Sequence, residues 1–259
     1  MTEPFKVRLT GSSAGTLEQV LVQIELVDRA PLQCPAPWAW YRGDDLVGTT
    51  GDTVTQWDDR TGNGRHLIED PGWITVPSID AGIDGIRGLT GTRSTFQNDR
   101  LLAEYDAYEF SAGKTIFIVF KPQADSFFQA ATASTPGGST LWQLIWGDGG
   151  ATSEEQFLSS NAGGSVWTFD PAPSGAQAVM IRTANGQPHE VTYAGGTDLS
   201  TAGGGTVGSA TKNATWNVHE VAIRQGEVLC EWIVFDTLLT PECVAKWQAY
   251  LAARFPSLF

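Results

Sequence analysis

The sequence predicts an all-β protein, built as two antiparallel sheets packed face to face, with one C-terminal helix and an N-terminal β-hairpin arm. Three observations predict it. Glycine is abundant, at 29 residues among short apolar runs, and so many turns imply many strands. Apolar residues recur at period 2, or in runs too short for a buried helix. Helical spacing with matching caps stands out in one place, near the C-terminus.

The arm comes first. Phe5, Val7 and Leu9 alternate with Lys6, Arg8 and Thr10, the signature of a strand with one buried face. A GSSAGT turn follows, and then Val20, Val22, Ile24 and Leu26 alternate again. Leu17, Leu21 and Ile24 also suit a helix, but β-branched residues favour a strand. These seven alternating apolar residues exceed what a segment of this size can bury by itself, so they are candidate docking residues. Pro31, Pro35 and Pro37 then make a stiff connection, which sets a boundary between an arm (1–36) and a sandwich (37–259).

In the sandwich, TIFIVF (115–120), TLWQLIW (140–146), VHEVAIR (218–224) and VLCEWIVFD (228–236) read as strands. The Gly/Ser/Thr-rich stretches 132–139 and 195–208 read as loops. Thr240 is an N-cap and Pro241 suits the first helical position. Val244, Trp247, Leu251 and Phe255 follow on one face, Pro256 stops the helix, and Lys246 and Arg254 lie towards its C-terminal end.

Charge and cysteines narrow the function. The formal net charge of −13 repels phosphate, which argues against nucleic acid and anionic membrane as partners. No apolar run reaches membrane-spanning length. Lys6, Arg8, Glu18 and Glu25 interrupt any secretory signal. Cys34, Cys230 and Cys243 are odd in number and lack metal spacing, which predicts free thiols and synthesis in a reducing cytoplasm. No cofactor is expected.

Two segments, WYRGDDL…VTQWDDRTGNGRHL (40–67) and HEVAI…EWIVFDTLLTPECVAKWQAYLAARF (219–255), resemble the laminin-G-like branch of the concanavalin A-like lectin/glucanase superfamily. The resemblance implies a jelly-roll sandwich of a kind frequent in bacteriophage virion proteins. It implies a non-catalytic virion structural protein, a capsid decoration or a tail- or fibre-associated subunit, docking through the arm in an oligomeric assembly with other virion proteins. A surface glycan is the alternative partner, as an adhesion module would have, and a glycoside hydrolase is a third reading. In the first segment, Val54 and Trp57 suit buried positions, Gly62, Asn63 and Gly64 a turn, and Asp58, Asp59 and Thr61 the capping of its amides.

Several motifs have a plain structural reading. GSSAG (11–15) lacks the parallel sheet of a nucleophile elbow, and GGGTVG (203–208) lacks the helix of a dinucleotide site. RGD (42–44) falls inside the first strand and its turn. A hydrolase needs two facing carboxyls, and Glu227 with Glu231 meet that only on a regular strand. Asp58, Asp59 and Asn63 offer oxygens to Ca²⁺, although acidic turn residues more often cap amides. Among ten tryptophans, Trp57, Trp232 and Trp247 fall on predicted apolar faces, while Trp73, Trp146, Trp167 and Trp216 lie nearer loops and are candidate sugar platforms.

Overall fold

The computed structural model describes residues 33–69, 75–92, 99–104, 114–122, 128–134, 140–146, 155–159, 165–169, 175–183, 188–195, 198–206 and 218–259. The predicted docking residues Phe5, Val7, Leu9, Val20, Val22, Ile24 and Leu26 lie outside them, as does the GSSAG turn.

The strands are β1 (Ala39–Arg42), β2 (Gln56–Trp57), β3 (Leu67–Glu69), β4 (Ser78–Ile83), β5 (Ile86–Thr90), β6 (Asp99–Glu104), β7 (Lys114–Lys121) and β8 (Phe128–Ser134). They continue as β9 (Thr140–Trp146), β10 (Glu155–Ser159), β11 (Ser165–Phe169), β12 (Gln177–Thr183), β13 (Pro188–Gly195), β14 (Asp198–Thr206), β15 (Val218–Ile223) and β16 (Val228–Phe235). One sheet has the order β14-β13-β12-β7-β16-β5-β4, with β1 also pairing β16. The other has the order β11-β10-β9-β8-β15-β6-β3-β2. The strand pairs are antiparallel, so the all-β sandwich is as the sequence predicts.

Period-2 alternation gives the first sheet two buried faces. On β7, Ile116, Ile118 and Phe120 enter the core between the sheets, with Trp57, Leu67, Leu101 and Val221 from the other sheet. Phe117 and Val119 turn the other way and meet helix α1 (Pro241–Arg254). The molecule therefore has three layers: sheet, sheet and helix. That is why β7 and β16 read as unbroken apolar runs rather than alternating ones.

The helix forms as predicted. Thr240 Oγ1 accepts the Cys243 amide, Pro241 opens the first turn, and the Phe255 amide closes on Leu251 O. Trp247 is fully buried, with Phe235 at 5.2 Å, Tyr250 at 5.3 Å and Trp40 at 5.4 Å between ring centroids. Lys246, expected towards the C-terminal end, falls instead in the N-terminal half of the helix. It sits in the helix interior and pairs with Glu242 at 2.8 Å, one turn before it.

The described parts of the two predicted loops are strands instead. Residues 132–134 complete β8, and most of 195–208 forms β14. Among the described residues, β14 lies at the edge of its sheet and is hydrogen-bonded to β13. Its glycines are tolerated there because the backbone ladder to β13 supplies the pairing. Gly203–Thr206 of the GGGTVG motif thus continues a strand.

The free-thiol expectation fails for two of the three cysteines. Cys34 and Cys243 form a disulfide across 209 residues, and Cys230 is a buried thiol. Spacing along the chain carried no hint of this pair, because the fold brings the connection before β1 onto the first turn of α1.

Candidate functional site

The two resembling segments meet in space. β1 lies antiparallel to β16, with Trp40 opposite Ile233 and Arg42 opposite Glu231. The side of β1 away from β16 is closed by the turn after β2: Trp40 N–H donates to Asp59 Oδ1, and Arg60 N–H donates to Trp40 O at 2.8 Å.

That turn is organised by Asp59. Its Oδ1 also accepts the Thr61 amide at 3.0 Å, and its Oδ2 accepts the Arg65 amide at 3.2 Å. Gly62 and Gly64 take positive φ, 79° and 75°, where other residues are strained. Asn63 donates its side-chain N–H to Trp38 O, and Asp58 accepts from Gln56. The candidate Ca²⁺ donors Asp58, Asp59 and Asn63 are therefore committed to separate protein partners, and Asp59 caps amides. Among the described residues, no three His, Cys, Asp or Glu side chains group to hold a metal. Beside the turn, the Arg65 guanidinium covers the Trp38 ring at 4.0 Å, and Arg60 lies 5.3 Å from the Trp40 ring while pairing with Asp45.

Below the turn lies a buried charge network. Arg42, Gly43 and Asp44 pass from β1 into a short 3₁₀ turn. Gly43 is required by contact: a Cβ there would sit 1.6 Å from Arg87 O. Asp44 Oδ2 accepts from Arg42 Nη2 and from Arg254 Nη2, each at 2.7 Å. Arg254 Nε donates to Glu231 Oε2 at 2.9 Å. Glu231 Oε1 accepts from Trp40 Nε1 and Tyr250 Oη, each at 2.8 Å. The RGD tripeptide thus ties β1, β16 and α1 together, with Arg42 buried and Asp44 at the surface.

The network shifts its members' acidities. Burial raises the Glu231 carboxyl above its ordinary value, against the attraction of Arg254. Burial also acts to raise Asp44, but the hydrogen bonds and charges of Arg42 and Arg254 outweigh it and hold Asp44 low. Burial raises the Tyr250 phenol, with the Glu231 charge acting in the same direction.

Glu231 reaches this position through a bulge. The register of β16 against β7 shifts between Leu229 and Glu231. Leu229 and Trp232 face the inter-sheet core, whereas Cys230 and Glu231 both face the helix layer. Glu227 precedes the strand and accepts the Arg224 amide at 2.7 Å. The two carboxyls weighed as a hydrolase pair are consequently not partners on a regular strand. The charge network was missed in the sequence. Its signal was an acid inside an apolar strand, together with Arg254 on the apolar face of the helix, four residues after Tyr250.

The candidate sugar platforms fall elsewhere. Trp73 and Trp216 lie outside the described residues. Trp146 ends β9 opposite Phe128, and Trp167 stands opposite Phe157 on β11, an edge strand; the described structure places both by backbone.

The chain matches no protein-family model and no curated protein. Its fold is similar to solved structures. One is described as "Cell entry of botulinum neurotoxin type C is dependent upon interaction with two ganglioside molecules", with a TM-score of 0.52, 9% identity and coverage of 86% of this chain and 51% of that one. Another is "Botulinum Neurotoxin Type G Receptor Binding Domain", with a TM-score of 0.51, 10% identity and coverage of 85% and 52%. The chain spans about half the length of these structures. At this identity the likeness is one of fold.

Proposed function

We propose that this chain is a non-catalytic glycan-binding sandwich carried on a bacteriophage virion, where it recognises a surface sugar and docks to other virion proteins through its N-terminal arm. The observation that carries the reading is the fold likeness to a neurotoxin chain whose description names gangliosides. Two features support it. Glu231, the fully buried carboxylate on β16, is enclosed by Arg254, Tyr250 and Trp40 beneath α1, a structural use rather than a catalytic one. The Cys34–Cys243 bridge suits a protein that functions outside a reducing cytoplasm, as a virion component does.

The test is the full chain on an array of bacterial and animal glycans, with reducing-sugar release assayed in parallel. Saturable binding without hydrolysis is expected. Hydrolysis of any bound glycan overturns the non-catalytic reading, and absence of binding throughout overturns the glycan reading. Deletion of residues 1–30, which keeps Cys34, is expected to leave glycan binding intact and abolish incorporation into particles. Normal incorporation overturns the docking role.

A further inference from the structure

Three thiol positions have different surroundings. Cys230 is fully buried on β16, and burial pushes its thiol up to about 12. Cys243 is buried at the third position of α1, where its own amide is capped by Thr240. Cys34 is half-buried, flanked by exposed Gln33 and Pro35. Gln33 holds a positive φ of 68° without being glycine, so the backbone at the arm's root is in a conformation that ordinary residues adopt at a cost.

We propose that the Cys34–Cys243 bridge is a site of thiol–disulfide exchange, attacked at Cys34 by an external thiolate, whose opening frees the root of the N-terminal arm from α1. The inference goes beyond the glycan reading and stands independently of it. An incoming thiolate bonds to Cys34 Sγ, the S–S bond breaks, and the electron pair leaves on Cys243 Sγ. Direction follows from access and from the leaving group: Cys34 is the more exposed sulfur residue, and the partial positive charge of a helix N-terminus stabilises a departing thiolate. Glu242, next to Cys243, is paired with Lys246, which offsets its opposing charge. A second external thiol then attacks the mixed disulfide on Cys34. It releases Cys34 as a thiolate and leaves the two external thiols oxidised to their own disulfide, so two electrons pass to the protein.

The experiment uses the native full-length chain, glutathione as the attacking thiol, N-ethylmaleimide to trap free thiols, and peptide mapping by mass spectrometry. The glutathione adduct is expected on Cys34 over Cys243 by about tenfold or more, with Cys230 unmodified. Preference for Cys243, or opening only in denaturant, overturns the proposal. Hydrogen exchange of the reduced, alkylated chain is the second reading. Faster exchange across 33–37 and the first turn of α1, with β16 still protected, is expected. Unchanged exchange at both places overturns the release of the arm's root.

Discussion

The first sheet carries two cores, and they are held in different ways. The inter-sheet side is apolar and aromatic at its centre: Tyr41 lies 5.6 Å from both Trp57 and Trp232, among aliphatic residues of both sheets. The helix side has a larger aromatic cluster around Trp247, but it also contains Glu231, Arg254 and the Cys34–Cys243 bridge. Backbone pairing fixes the strands within each sheet, so the two facing sheets meet as preformed apolar surfaces. A single helix laid on a sheet has no such ladder, so its register and angle need directional contacts. The network and the bridge supply those contacts at opposite ends of α1, Cys243 in its first turn and Arg254 in its last.

The largest effect expected from breaking this asymmetry is at the bridge. Replacing Cys34 and Cys243 by serine should lower stability by about 5 kcal/mol, because the bond closes a loop of 209 residues in the unfolded chain. Denaturant melts of both proteins measure it, and a loss below about 1 kcal/mol would mean that α1 is held without the bridge. Trp247→Ala should cost about 3–5 kcal/mol, since the ring fills the centre of the helix-side core. A loss below about 1 kcal/mol, read the same way, would show that the helix face is not packed as described.

Legibility in the sequence follows the same division. The inter-sheet core announced itself through the short apolar runs of β7, β15 and β16, and the helix through Thr240, Pro241 and the spacing from Val244 to Phe255. The helix-side polar contacts did not, because each joins residues far apart along the chain: Asp44 with Arg254, Trp40 with Glu231, Cys34 with Cys243. The bulge at Cys230 hid Glu231 further, since strict alternation from Leu229 assigns it to the inter-sheet face. The Asp59 turn was legible because its contacts are local. The arm residues and the loop tryptophans belong to segments whose partners, if sugars or other chains, leave no pattern within this sequence.

A smaller effect sharpens the inter-sheet side. Lys114 is buried at the start of β7, and burial lowers its ammonium to about 8 from 10.5, against the attraction of Asp236. The folded chain thus binds fewer protons than the unfolded chain between those values, so this group's contribution to stability rises with pH across about 8 to 10.5. The rise should reach about 3 kcal/mol. Comparing denaturant melts of the natural chain and Lys114→Met at pH 7.5 and 10.5 isolates it from other titrating groups. Parallel pH dependence in the two proteins would contradict it.

The most direct test of the helix-side account is a double-mutant cycle on Glu231→Leu and Arg254→Met, measured by denaturant melts. Each single change leaves one charge buried without its principal partner and should cost about 3–5 kcal/mol. The account predicts that the double change costs much less than the sum, with a coupling of about 2 kcal/mol or more. Additivity within about 0.5 kcal/mol would contradict it, because Glu231 and Arg254 would then not act together in fixing α1 to the sheet.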